Sequence, residues 1–494
     1  MIKDINFNLN GIKSIFLDNK TTRQILFKNT FWLTVGTSIN KLLSLLLLIY
    51  VARILGATEY GKFSFALAFI SLFVIFHDFG LPILITREYA KEEEKKDREE
   101  FYSVLSLKIL LSIATLVIIL VSSFFITADP QIRNIILILT IFSMLNGFNS
   151  IFYAVFMARQ KMEYQAWLES LQYLLISGLG FLILFNFPSI ENLSYGYFIA
   201  SVVSLISVLI FFNKKIFNLK IYWQGQIWRK FLMMAWPLAL TGLFGSVYNY
   251  IDSVMMGSWG MITETGWYNA AYRIIFVTYI PMGLISGSFY PALSNFFKTS
   301  KEKLQKAWDY QLELMILLSL PLAVGGIILA PRIIYSLYPF SFSPSILAFQ
   351  ILILSSSLVF LYRPFFDVMI ASNQQKNAFW VTLSGAIVNI VLNLILIPKY
   401  KLYGAAVATV IAYIIILLIS ALLTTKFTPI KISYFKVILN FLLAGLSSIL
   451  MYFVIIRPEI YNLNIIFSVM IGALTYFLSL AVFKKITKQI YAKK

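Results

Sequence analysis

Phe156-Met157-Ala158-Arg159-Gln160-Lys161 runs into about 25 apolar residues, then a polar turn, then Leu193-Ser194-Tyr195-Gly196. About 210 residues later the pattern returns: Met369-Ile370-Ala371-Ser372-Asn373-Gln374, an apolar stretch, a polar turn, and Lys401-Leu402-Tyr403-Gly404. An apolar chain that repeats itself at this spacing reads as a transporter of two similar halves. The start of each half echoes the other more weakly. Gly56-Ala57-Thr58-Glu59-Tyr60-Gly61 leads to Ala66, and Gly260-Met261-Ile262-Thr263-Glu264-Thr265-Gly266 leads to Ala271.

Working outward, hydrophobic residues make up 59% of the 494 residues and charged residues 13%. No water-soluble core hides that much apolar surface, so the solvent is lipid. A crossing takes ~20 apolar residues, and about fourteen such runs lie between residues 29 and 483. They are too long for barrel strands and do not alternate, so backbone groups in lipid are satisfied only as helices. The expected fold is therefore all-α. About 14 transmembrane helices form two six-helix bundles related by a pseudo-twofold along the membrane normal, with two further C-terminal helices.

The domain reading is a cytoplasmic N-terminal segment (1–28), a six-helix lobe (29–213), a cytoplasmic linker (214–231), a second lobe (232–424), and two extra helices with a basic tail (425–494). No cleavable signal peptide is expected. With no cysteine and a single histidine, His77, disulfides and metal sites built from several histidines are excluded.

The net charge of +19 is a matter of topology. With loops assigned alternately from an inner N-terminus, 30 of the 41 Lys and Arg fall on inner segments, 7 on outer segments and 4 within spans. That asymmetry predicts a multi-pass protein of the cytoplasmic membrane with both termini inside. The basic excess meets anionic headgroups rather than nucleic acid.

The four cations within spans are Lys41, Lys108, Arg273 and Arg363. Each costs about 2.5–3.5 kcal/mol or more to insert, which places such residues in a polar interior. Lys108 is close enough to its helix end to snorkel. Lys41, Arg273 and Arg363, with Asp252 and Asn249, form the expected substrate-binding set. Asp252 pairs with Lys41 or Arg273, or takes up a coupling proton or cation. Arg363 has Asp367 one turn away, and Asp78 and Asp367 are candidates for gating or coupling. Pro237, Pro281, Pro291, Pro321 and Pro364 mark hinge candidates. No phosphate-loop or nucleophile-elbow motif occurs, and no paired acids occupy an outer loop. The chain reads as a non-enzyme without cofactors.

One block carries a specific likeness. Ala52-Arg53-Ile54-Leu55-Gly56-Ala57-Thr58-Glu59-Tyr60-Gly61-Lys62-Phe63-Ser64-Phe65-Ala66, followed by Asp78-Phe79-Gly80-Leu81 and Thr86-Arg87-Glu88, resembles the polysaccharide flippases of the O-antigen and capsule type. Their superfamily also holds MATE exporters and the lipid II flippase. The resemblance implies that a polyprenyl-diphosphate-linked oligosaccharide is moved from the cytoplasmic to the outer leaflet by alternating access. The expected partners are that lipid-linked oligosaccharide and membrane lipids, with H⁺ or Na⁺ as a coupling ion and the glycosyltransferases and polymerase of the same pathway. In the lipid II flippase the two extra spans help form a groove for the lipid tail, and the same is implied here. The roles given to Lys41, Arg273 and Arg363 rest on depth and charge, not on a family motif. The alternatives are a MATE-type cation-coupled multidrug exporter and a membrane glycosyltransferase or polymerase.

Overall fold

The computed structural model describes residues 22–89 and 94–492. Most of the N-terminal segment and part of the charge run at 87–100 lie outside the described residues. The described residues form helices joined by short connections, with no strand among them. In order the helices are α1 (Thr22–Asp78), α2 (Leu81–Glu88), α3 (Glu94–Ile126), α4 (Pro130–Ala158), α5 (Met162–Asn186), α6 (Ile190–Lys215), α7 (Gly225–Ser258), α8 (Ile262–Thr299), α9 (Lys301–Leu337), α10 (Pro344–Ala371), α11 (Gln375–Phe427), α12 (Tyr434–Ile455), α13 (Pro458–Tyr461) and α14 (Ile465–Ala492). A short 3₁₀ turn, Phe340–Phe342, precedes α10.

Among the described residues twelve stretches are long and apolar enough to cross a membrane. Two of them run along α1 and α11, which are 57 and 53 residues long and break at Gly56 and Lys401. Each is more than twice the ~20 residues one crossing takes. Counting each as two crossings raises twelve to the expected fourteen.

The break in α11 is a hairpin. A Cβ on Gly404 would lie 2.3 Å from the Leu396 carbonyl oxygen, and one on Gly385 would lie 2.4 Å from Ile416 Cδ1. Such pairing of early with late residues means antiparallel arms. Gly56, at φ 78° and ψ 178°, occupies a region that essentially only glycine enters. Helix starts use local polar groups. The Asp129 side chain accepts from Gln131 N ahead of α4, and Ser189 does the same from Glu191 N ahead of α6.

The repeated segments fold alike. Arg159, Gln160 and Lys161 donate their N–H groups to Val155, Met157 and Phe156 carbonyls at 3.1, 3.0 and 2.9 Å. Ser372, Asn373 and Gln374 donate to Val368, Ile370 and Met369 at 2.9, 3.2 and 2.9 Å. Gln160 and Asn373 both take positive φ, 56° and 60°, ending α4 and α10 with the same left-handed cap.

The chain forms two compact units: Met1–Leu55 with Lys62–Ser246, and Gly56–Gly61 with Val247–Lys494. In the first, Phe101, Phe152, Phe212 and Phe217 pack as an aromatic core. The stretch between α6 and α7 is tied to α3 by Tyr102 OH and Ser106 Oγ, which donate to the Asn218 and Tyr222 carbonyls at 2.7 Å.

In the second unit the last two long helices dock on α9. Tyr476 OH donates to the Leu317 carbonyl at 2.5 Å. That carbonyl is the one Pro321, lacking N–H, leaves free. Pro331 likewise frees Ile327, whose carbonyl receives Gln350 Nε2 at 3.1 Å. Lys436 pairs with Asp309 at 2.8 Å and Lys484 with Glu313 at 2.5 Å, while Arg332 donates to Ser468 Oγ at 2.9 Å. The kink at Pro321, a hinge candidate by sequence, is thus held by a side chain from another helix. In α8 no side-chain donor among the described residues meets Val277 or Gly287, the carbonyls that Pro281 and Pro291 free.

Within this unit the Gly56–Gly61 segment of α1 also crosses the start of α8 at backbone contact. A Cβ on Gly61 would fall 2.0 Å from the Ile262 carbonyl oxygen, and one on Gly266 would fall 2.0 Å from that of Ala57. Thr58 and Thr263, 205 residues apart, share a hydroxyl hydrogen bond of 2.8 Å. The equivalent positions of the weak repeat therefore meet each other in a local twofold arrangement, and only glycine permits the approach.

Candidate functional site

The intramembrane charges separate into three kinds. Lys108 is 0% exposed and bonds Asp78 Oδ1. His77 Nδ1 lies 3.9 Å from the same oxygen. The sequence reading let Lys108 snorkel; α4 and α7 pack around the end of α1 instead and hold the cation inside on a carboxylate. Asp78, a gating candidate, is the partner in that pair. Lys28, read as part of the cytoplasmic segment, is buried too, with Glu163 at 3.0 Å.

The second kind is the pair on α10. Arg363 Nε bonds Asp367 Oδ1 at 2.8 Å and donates to Ser286 Oγ at 3.2 Å. Asp367 also accepts from Gln311 Nε2 at 2.8 Å. One face of the Arg363 guanidinium lies over Phe366. The residue stays half-exposed, so part of its donor fork is open to a further anion.

The third kind comprises Lys41 and Arg273, which lie outside those two clusters. Lys41 is exposed on α1, with no hydrogen-bond or ion-pair partner among the described residues. Arg273 is half-exposed on α8 beside Tyr272 and Tyr338. Both stand within apolar helical stretches, where an ammonium or guanidinium requires a polar surround.

Asp252 on α7 is 5% exposed. Its carboxylate accepts from Tyr268 OH at 2.5 Å, Asn393 Nδ2 at 2.5 Å and Thr409 Oγ1 at 2.8 Å. Asn389 Oδ1 accepts from Asn393 at 3.2 Å. The cage draws on α7, α8 and both arms of α11, and all its bonds are to neutral groups. No cation bonds this carboxylate among the described residues, so the ion pair anticipated for it is absent from its cage. Asn249, one turn earlier, is half-buried. The surrounding tyrosines include Tyr248, Tyr362 and Tyr413, whose rings lie 5.2 and 6.0 Å apart around Tyr413.

The second unit also holds an apolar groove of about 310 Å³ walled by α8, α9, α10, α12 and α14, with Leu318, Leu322, Ile353, Met451, Val469 and Phe477 among its lining. Tyr476, bonded to Leu317, lies in the same wall. Of the groove's lining the sequence reading singled out only Pro281 and Pro321, as hinges, and it missed Tyr268, Tyr362, Tyr413 and the half-buried Glu169 on α5. A polar stripe at helical spacing through an apolar run was the available signal for Glu169. Among the described residues no group of three or more His, Cys, Asp or Glu is placed to hold a metal ion.

Comparison with known proteins agrees with this architecture. The chain is 23% identical over 203 residues to the probable low-salt glycan biosynthesis flippase Agl15 of Haloferax volcanii, covering 40% of this chain and 42% of that one. It is 19% identical over 397 residues to the capsular polysaccharide biosynthesis protein CapF of Staphylococcus aureus, covering 79% and 97%. Among solved structures, the lipid II flippase MurJ in an inward closed conformation superposes with a TM-score of 0.77 at 19% identity, over 92% of this chain and 98% of that one. An inward-facing MATE family multidrug transporter gives 0.65 at 15%, over 78% and 95%. These likenesses establish the fold, which is that of MurJ and the MATE transporters. The family model described as polysaccharide biosynthesis protein matches residues 26–297, more than half of the chain, and the protein belongs to that family.

Proposed function

We propose that this protein is a flippase that moves a polyprenyl-diphosphate-linked oligosaccharide from the cytoplasmic to the outer leaflet by alternating access. The observation that carries the reading is the apolar groove completed by α12 and α14. A carrier lipid needs a dry path for its tail beside a polar path for its headgroup, and a soluble organic cation does not. The intramembrane cations supply the second requirement. Lys41 and Arg273, with the half-open Arg363, offset the desolvation of a diphosphate. The relatives named as flippases support the same substrate class.

The Asp252 cage is the coupling site in this reading. A buried carboxylate surrounded by neutral oxygen and amide groups is stable when it holds a proton or a small cation, and H⁺ or Na⁺ are the candidates. The reading keeps both termini in the cytoplasm, where the basic segments favour them, and the pathway's glycosyltransferases and polymerase as associates. The lobes 29–213 and 232–424, joined by 214–231, move as the two bodies of the cycle, with 425–494 carrying the tail groove.

The test is reconstitution into vesicles loaded with a fluorescent lipid-linked oligosaccharide, followed by its appearance in the opposite leaflet to a membrane-impermeant quencher. Lys41→Ala or Arg273→Ala abolishes movement while folded protein persists. Efflux of a fluorescent organic cation with no lipid movement would establish the exporter instead.

A further inference from the structure

Helix α5 has two faces. Trp167, Leu171, Leu174, Gly178, Leu182 and Phe185 recur every three or four residues and are exposed, as a lipid face requires. Two residues out of step with them run Gln165, Glu169, Gln172 and Ser177. The deep part of this polar face is helix-to-helix glue. Asn149 Nδ2 donates to Ser204 Oγ at 3.1 Å and Gln172 Oε1 at 3.4 Å, and Gln172 donates to Asn146.

The shallower part is different. Glu169 lies about 10 Å along the helix from Met162 at ~1.5 Å per residue. It accepts from Gln165 Nε2 at only 3.4 Å and lies beside Asn40 of α1. Gln165 Oε1 and Asn149 Oδ1 are buried acceptors that make no hydrogen bond. Gln165, Glu169, Asn146 and Tyr173 are all half-exposed. Half-exposed amides and a carboxylate are costly against lipid, so this face meets a water-filled path. Charged groups on the same stretches of α1 and α5 are Lys41, next to Asn40 in the chain, and the Lys28–Glu163 pair, which neutralises itself. Tyr153 and Tyr173 are the neighbouring titratable rings.

Primary amides that both donate and accept, one carboxylate and a flanking ring match vicinal hydroxyls on an uncharged sugar. They do not match a phosphate, which the carboxylate repels. We propose that Gln165, Glu169, Asn146 and Tyr173 form a headgroup subsite that binds a neutral sugar of the lipid-linked substrate, and that Glu169 rejects a uronic acid at that position. This rests on the flippase reading and assigns it a selectivity.

The test uses the purified full-length chain in nanodiscs and three probes: polyprenyl diphosphate bearing a glucose–N-acetylglucosamine disaccharide, the same carrier with glucuronic acid in place of glucose, and bare polyprenyl diphosphate. The neutral disaccharide should bind about tenfold more tightly than the uronic acid probe, the ratio that ~1.4 kcal/mol of like-charge repulsion gives. Glu169→Gln should tighten the uronic acid probe until the two differ by no more than about threefold, and leave the bare carrier unchanged. A gain of binding is a readout that a misfolded or merely destabilised variant does not produce. Equal binding of both sugars by the wild type, or uniform weakening of all three probes by Glu169→Gln, overturns the subsite and leaves the flippase reading standing. If none of the three probes binds the wild type, the flippase reading falls and takes the subsite with it.

Discussion

Gly61→Ala is the most exacting perturbation of this structure. The added methyl would sit 2.0 Å from the Ile262 carbonyl oxygen, where ordinary contact begins near 3.4 Å. The Gly56–Gly61 segment and the start of α8 must therefore part by roughly 1.4 Å, because neither backbone can rotate the obstacle away. Overpacking of this kind costs about 1–3 kcal/mol. The Thr58–Thr263 hydrogen bond adds about 1 kcal/mol when it breaks. Together these amount to about 2–4 kcal/mol against the conformation described here, or a shift of roughly 30- to 1,000-fold in its equilibrium with one in which the helices are apart. The chain has no cysteine, so Thr58→Cys with Thr263→Cys gives a clean cross-linking pair. Side chains that share a 2.8 Å contact are within reach of a disulfide. Cross-linking in membranes should be rapid in the parent and strongly slowed by Gly61→Ala. Gly266→Ala should act equally, since it meets the Ala57 carbonyl at the same distance. The double variant should cost less than the sum, because one separation relieves both clashes. If cross-linking proceeds at the parental rate in both alanine variants, the close crossing is wrong.

Three further outcomes follow from the same geometry. Asp78→Asn should cost about 3–5 kcal/mol by leaving Lys108 buried without its carboxylate, seen as loss of folded protein in detergent, and adding Lys108→Met should restore much of it. Tyr476→Phe should lower stability by about 1–3 kcal/mol through the orphaned Leu317 carbonyl; Pro321→Ala in that background should recover it by restoring the helix bond, and a thermal melt that shows no recovery contradicts the assignment. Asp252→Asn should leave the fold intact but remove any dependence of transport on an imposed Na⁺ or proton gradient, measured in vesicles with each gradient in turn.

Much of this protein is legible locally. Lipid offers no partner for a backbone N–H or C=O, so each apolar run of sufficient length must be a helix, and counting runs nearly counts crossings. Lys401 marks the hairpin break in α11, and the sequence placed a turn there because Lys399 to Lys401 interrupt the apolar run. The repeat at Phe156 and Met369 was readable as well, from its matching segments and spacing, while the left-handed cap that Gln160 and Asn373 share appeared only in the backbone.

What the side chains do across helices was not legible. The depth of Lys108 suggested an escape to the interface, but depth does not say what packs over a helix end, and Asp78 from another helix closes it in. The cage on Asp252 is assembled from Tyr268, Asn393 and Thr409, which lie 16, 141 and 157 residues away. Nothing in an apolar run states how far each helix is rotated about its axis, and a rotation of one residue, 100°, exchanges a core partner for lipid. Pro321 read as a hinge because its missing N–H is written in the sequence. Tyr476, which satisfies the carbonyl so released, is brought there only by the packing of α14 against α9. Composition and periodicity therefore determined the helices, their number and the two-part plan, since lipid enforces those segment by segment. Which charges are paired and which kinks are locked was decided by tertiary structure, because those depend on contacts between segments far apart in the chain.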